Sequence, residues 1–171
     1  MQTGDIILFK GEGFLFKVLS GILCLVDKEW RQRKFKPWHV AFVSRFWDGQ
    51  PVICEALIGG VQENILDDKR EYKSYHWLEI PVDPHDFVDS HLGLKYDVAQ
   101  YLFTSLQYLI RHFWNRRIPR LLDNSYTCWE LVAEFVRDNG KPFQVIYDCP
   151  TINDIVRVLD ENILGLPDKI G

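Results

Sequence analysis

Three residues of this chain have the types that together make a nucleophilic site: Cys128 in "SYTCWELVAEF", His39 in "WHVAFV" and Glu55 in "PVICEAL". A thiol at a helix N-terminus, an imidazole to take its proton and a carboxylate to orient the imidazole form the nucleophile–base–orienter set of a cysteine hydrolase. The chemistry needs these types: a thiolate to attack, a base that titrates near neutrality, and an acceptor that fixes the tautomer. The backbone N–H of Cys128, in the first helical turn, would offer one donor to an oxyanion.

The elements that must position these groups can be read from periodicity. Cys128, Leu131, Val132, Phe135 and Val136 recur at i, i+3, i+4, i+7 and i+8, one apolar stripe of a helix. Thr127 with Glu130 three positions on has the pattern of a capping box, so the helix is expected to start at Thr127 with Cys128 facing inward. By itself that helix fits a core-filling thiol as well as a nucleophile. In the strand "WHVAFV", His39, Ala41 and Val43 share one face; in "PVICEAL", Ile53, Glu55 and Leu57 do. The register between the two strands decides whether they meet. A strict two-residue Asp48-Gly49 turn puts Glu55 opposite Phe42, on the wrong face for His39. A three- or five-residue loop, or one bulge, restores parity and brings Glu55 diagonally within reach of His39.

Around this set the chain reads as strands first and helices later, an α+β class. "DIILFK" is expected as a strand, "FLFKVLSGIL" as a helix and "KEWRQRKFKP" as a basic loop. Further strands are expected at "VQENIL" after the Gly59-Gly60 turn and at "YHWLEIPV". "DPHDFVDSHLG" has Asp83 to cap, Pro84 to open and Gly93 to end a short helix. "YDVAQYLFTSLQYLIRHFW" reads as a long apolar helix, "FQVIYD" as a strand and "TINDIVRVLDENI" as a closing helix.

At 171 residues, with 47% hydrophobic and 14% aromatic residues, residues 1–171 are expected to form a single well-packed domain. Cys24, Cys54, Cys128 and Cys149 are widely spaced without a C-x-x-C pair, which fits a reduced chain. A net charge of −4 provides no global field for nucleic acid. "GDIILF" follows Met1 too closely for a signal peptide, and "FLFKVLSGILCLV" is too short to span a bilayer. A cytoplasmic chain is expected, unless it leaves by lysis or as part of a virus particle.

The order of motifs "GDIILFKGEGFLFKVLSG", "HVAFV", "ICEALIGGVQENIL", "GLKYD" and "YTCWELVAEF" resembles the circularly permuted branch of the NlpC-type papain-like cysteine hydrolases, nearest its YiiX/YaeF-like bacterial and phage group. The resemblance covers most of residues 4–136. It implies a permuted papain-like fold, a small antiparallel β-sheet or barrel packed against the cysteine-bearing helix. It also implies Cys128 as nucleophile, His39 as general base and Glu55 as third polar residue, with no cofactor and no metal. Asp5 and the Tyr96-Asp97 pair match positions taken as structural. The family usually has Tyr immediately before the cysteine and Ser after it. Here Thr127 and Trp129 stand there, with Tyr126 one step back; Tyr126 and Trp129 are the weaker candidates for shaping the oxyanion and substrate site. The implied substrate is a peptide or acyl amide, best a cell-wall peptide. Lecithin–retinol acyltransferase-like enzymes move acyl groups between lipids with a similar set, but their Asn-Cys-Glu-His signature is absent here.

Two basic stretches interleave with aromatics, "KEWRQRKFK" and "RHFWNRRIPR". They read either as solvated faces or as a rim for an anionic substrate or lipid headgroups, which leaves room for peripheral membrane contact. His76, His85, His91 and His112 lack metal-ligand spacing. The expected function is hydrolysis of an amide, ester or thioester bond through an acyl-enzyme on Cys128. The alternatives are a lipid acyltransferase or thioesterase, and a non-catalytic binding or virion component that keeps the fold.

Overall fold

The computed structural model describes residues 1–26, 28–77, 81–97 and 125–139, with 155, 156 and 159. The elements are β1 (Ile6–Lys10), α1 (Gly13–Val26), α2 (Lys28–Gln32), β2 (Pro37–Trp47), β3 (Gln50–Leu57), β4 (Gly60–Ile65), β5 (Tyr72–Tyr75), α3 (His85–His91), β6 (Lys95–Tyr96), β7 (Ser125–Tyr126) and α4 (Cys128–Asp138). Mixed helix and strand is thus the class. Tyr96, expected to open the long helix, pairs with Tyr126 in β6 instead; the rest of that helix from residue 98, the strand "FQVIYD", the basic stretch at 111–120, His112 and Cys149 lie outside the described residues.

Five antiparallel strands form one sheet in the order β4-β3-β2-β1-β5, and β6 pairs with β7 in parallel. Asp48 and Gly49 link β2 to β3 with positive φ at both positions (49° and 76°), the backbone of a two-residue type I′ hairpin turn. The second turn, expected at Gly59-Gly60, lies one residue earlier, at Ile58 and Gly59, because Gly60 already pairs with Leu57 as the first residue of β4. Gly60 has φ 114°, and a Cβ there would stand 2.7 Å from the Leu94 carbonyl oxygen, so no side chain fits.

The main core lies between one face of the sheet and α4. Ile6, Leu8, Val40, Phe42, Cys54 and Ala56 meet Leu131, Val132, Phe135 and Val136. The Phe42 and Phe135 rings stack with centroids 3.9 Å apart. Ile155, Val156 and Leu159, all three helical, complete this cluster. A smaller cluster of Ile7, Phe9, Ala41, Val43, Ile53 and Leu66 has the opposite strand parity.

Three further expectations need correction. Residues 28–32 are helical rather than loop, because Trp30 is wholly buried and donates its indole N–H to Ser20 Oγ at 3.1 Å, which anchors the segment. The strand expected at "YHWLEIPV" begins earlier, at Tyr72, and ends at Tyr75, where its pairing with Ile6–Phe9 is exhausted. His76 and Trp77 then bond the start of β1, His76 Nδ1 lying 2.6 Å from Asp5 Oδ1 and Trp77 Nε1 donating to the Gly4 carbonyl at 2.7 Å. The short helix begins at His85 rather than Pro84, although Asp83 Oδ1 does accept the His85 N–H at 3.0 Å.

Candidate active site

The Cys128 helix is built as its sequence requires. Thr127 is the N-cap; its hydroxyl accepts the Glu130 N–H, and Glu130 Oε2 accepts the Thr127 N–H at 2.9 Å and the Thr127 hydroxyl at 2.7 Å. A closed capping box fixes where the helix begins. It therefore fixes Cys128 as the first helical residue, with its thiol turned inward at 1% exposure.

His39 and Glu55 are brought together by a bulge. The pairing runs Trp47 with Gln50, Phe46 with Pro51 and Arg45 with Val52, then slips by one so that Val43 faces Ile53 and Phe42 faces Cys54. Ser44 is the extra residue. Its hydroxyl lies 3.1 Å from the Val52 carbonyl and 2.6 Å from Glu63 Oε1, occupying the gap in the ladder. The slip moves Glu55 from the position opposite Phe42 to the one opposite Ala41, onto the face of His39. Their side chains meet, with His39 Nε2 2.6 Å from Glu55 Oε2.

Glu55 is 3% exposed and has three neighbours besides solvent. Asn64 Nδ2 donates to Oε1 at 3.0 Å, His39 occupies Oε2, and Arg70 Nη1 stands 3.9 Å from Oε2. Burial pushes its pKa up, but the hydrogen bond and charge of His39, the Asn64 bond and the Arg70 charge outweigh this, and the carboxyl is held below its usual range. Arg70 keeps its place by lying over the Phe9 ring, 3.8 Å from the centroid, and Phe9 is in turn 5.5 Å from the His39 ring.

His39 is 13% exposed and interacts with Cys128 as well as Glu55. Burial, the largest influence, pushes its pKa down. The charge of Cys128 and a hydrogen bond to it, followed by the hydrogen bond and charge of Glu55, reverse this and raise it from 6.5 to about 9. The direction is that of an imidazole flanked by two groups that favour its cation. Cys128 opens its helix and His39 lies two residues inside β2, so thiol and imidazole meet at the ends of their elements.

The remaining candidates have other surroundings. Tyr126 and Trp129 are both buried in the main core beside Cys128, and the Tyr126 ring meets His91 edge-on at 5.2 Å. Asp5 is buried and accepts the Gln2 N–H at 2.7 Å as well as bonding His76, which ties the first turn of chain to β5. Asp97 is buried and its N–H donates to the Tyr126 carbonyl at 3.1 Å. Cys54, on the face opposite Glu55, has its thiol pushed up to about 12 by burial and by the Glu63 and Glu55 charges, which keeps it protonated and inert. Cys24 is half-buried and accepts from Lys36 Nζ at 3.2 Å.

Asn64 and Arg70 were missed from sequence. Asn64 could have been found: in the β3–β4 ladder Glu55 faces Gln62, which puts Asn64 diagonally beside it on the same face. Arg70 is in the β4–β5 connection, where no periodicity operates. No protein-family model matches the chain, and no characterised protein matches it.

Proposed function

We propose that this chain is a cysteine hydrolase of the permuted NlpC-type papain-like kind, opening an amide, ester or thioester bond through an acyl-enzyme on Cys128. The observation that supports this best is His39 between two partners, Glu55 at 2.6 Å and Cys128. Nε2 is engaged by Glu55, which leaves Nδ1 for the thiol.

In that mechanism the Cys128 proton passes to His39 and the thiolate attacks the substrate carbonyl carbon. The carbonyl oxygen becomes an oxyanion and accepts the Cys128 N–H, which precedes the first intrahelical bond, from Leu131 N–H to the Thr127 carbonyl at 3.1 Å. The leaving amine, alcohol or thiol takes the proton from His39 as the tetrahedral intermediate collapses to the acyl-enzyme thioester. Water then attacks the thioester, gives a proton to His39 and releases the acid, and the proton returns to Cys128. Of the reacting groups Glu55 touches only the imidazole; it is a positioning residue that holds the tautomer and stabilises the imidazolium, without itself being protonated. A cell-wall peptide amide is the substrate favoured by the family resemblance, and the site is expected to work without metal or cofactor.

Iodoacetamide at neutral pH, followed by peptide mapping, tests the assignment. Cys128 should be alkylated faster than Cys54, and His39→Ala should slow Cys128 while leaving Cys24 unchanged. A Cys128 rate that ignores His39→Ala would remove the base from the mechanism and the mechanism with it.

A further inference from the structure

We propose that α1 docks the protein onto an anionic lipid surface, its outer face lying in the headgroup boundary. The proposal is independent of the chemistry at Cys128. Helix α1 is apolar on two opposite sides. Its inner side packs Ser20 and Leu23 into the protein, with Phe16 set against Trp38 (centroids 5.2 Å apart), the neighbour of His39. Its outer side presents Phe14, Val18, Ile22 and Leu25, spaced i, i+4, i+8 and i+11, all exposed, Phe14 at 83% and Leu25 at 78%. Four large apolar side chains aligned along about 16 Å of helix are a patch, not scattered surface residues. Among the described residues no helix is long and apolar enough to cross a membrane. A helix of this kind lies on a bilayer rather than through it.

Charge selects the occupant. Residues 10–36 hold seven basic and three acidic residues in a chain whose net charge is −4. Lys17, Lys28, Arg31 and Lys34 are exposed around the stripe. Arg31 donates to the Cys24 and Leu25 carbonyls at 2.7 and 3.3 Å, which fastens the basic segment to the end of α1. Among the described residues Lys17, Lys28 and Lys34 have no ion-pair partner, so their charge is open to headgroups. Two copies joined through this face would bring like charges together, whereas anionic headgroups complement it. Docked so, α1 would hold the strand end that carries His39 near the bilayer, by way of Phe16 and Trp38.

The test is co-sedimentation of the full chain with vesicles of mixed phosphatidylglycerol and phosphatidylcholine, and with phosphatidylcholine alone. Binding is expected to the anionic vesicles and to weaken with salt. Phe14→Ser and Leu25→Ser, both at exposed positions, should each lower partition by on the order of tenfold. Lys28→Glu with Lys34→Glu should lower binding to the anionic vesicles, with circular dichroism unchanged for every variant. Failure of the folded chain to bind anionic vesicles would overturn the proposal, as would binding that survives Phe14→Ser/Leu25→Ser. So would a dimer in light scattering that the same double substitution dissolves, which would assign the face to a second copy. Cys128 alkylation, read in parallel, reports on the hydrolase separately.

Discussion

Replacing Cys128 by serine should lower the pKa of His39. The rise from 6.5 to about 9 corresponds to about 3 kcal/mol of preference for the imidazolium over the imidazole. Burial works against that preference, so it is owed to the two partners, and Cys128 stands ahead of Glu55 among the raising influences. A serine hydroxyl keeps a polar atom in place but carries no charge. An opposite charge within a few ångströms moves a pKa by about one to three, and Cys128→Ser should therefore lower the His39 value by about that much. Glu55 would then act alone against burial. The assay is an NMR titration of the His39 ring carbon proton in both proteins, with His39→Ala to assign the resonance. A wild-type midpoint near 6.5, or a midpoint unchanged by Cys128→Ser, would refute the coupling of thiol and imidazole. The sign at Glu55 is opposite. Its pKa is depressed on folding, so its stabilisation is complete above the ordinary glutamate value near 4.5 and is lost as pH falls through the lower, folded value. Unfolding midpoints measured down an acid series should fall more steeply for wild type than for Glu55→Gln.

Asn64→Ala and Arg70→Ala each remove a group that holds the Glu55 carboxyl down; its midpoint in a carboxyl-carbon NMR titration should rise in both, less for Arg70, whose guanidinium is 41% exposed and screened, and Arg70→Lys should keep the charge effect. Phe135→Ala removes the ring stacked on Phe42 at 3.9 Å in the main core and should cost about 3–5 kcal/mol in denaturant unfolding, detaching α4 from the sheet. Gly60→Ala should destabilise by more than about 1 kcal/mol, since a Cβ meets the Leu94 oxygen at 2.7 Å on a backbone of positive φ; an unchanged midpoint would mean that the β3–β4 turn has another conformation.

The local parts of the site were legible because they obey local rules. The spacing of Cys128, Leu131, Val132, Phe135 and Val136 and the Thr127–Glu130 pair together place the thiol at a buried helix start, as found. The His39–Glu55 contact was legible only as a condition. Asp48-Gly49 specifies a two-residue turn, which taken alone separates the pair; the bulge at Ser44 reunites them, and nothing in the type of Ser44 announces a bulge. Trp30 shows the limit from the other side: a segment rich in lysine and arginine looks like a solvated loop until one large side chain is found wholly buried. Arg70 is held by an aromatic face and a carboxylate from distant strands, a tertiary arrangement that no window of sequence contains. Trp129, the largest side chain beside the thiol, packs into the main core, as the inward half of a helix start allows.

The central claim is a covalent intermediate at Cys128, and mass mapping of the chain quenched during turnover of p-nitrophenyl acetate tests it most directly. An acetyl group should appear on the peptide containing Cys128, form more slowly in His39→Ala and be absent in Cys128→Ser. Acetylation spread evenly over the four cysteines, or none on Cys128 in folded protein, would contradict it.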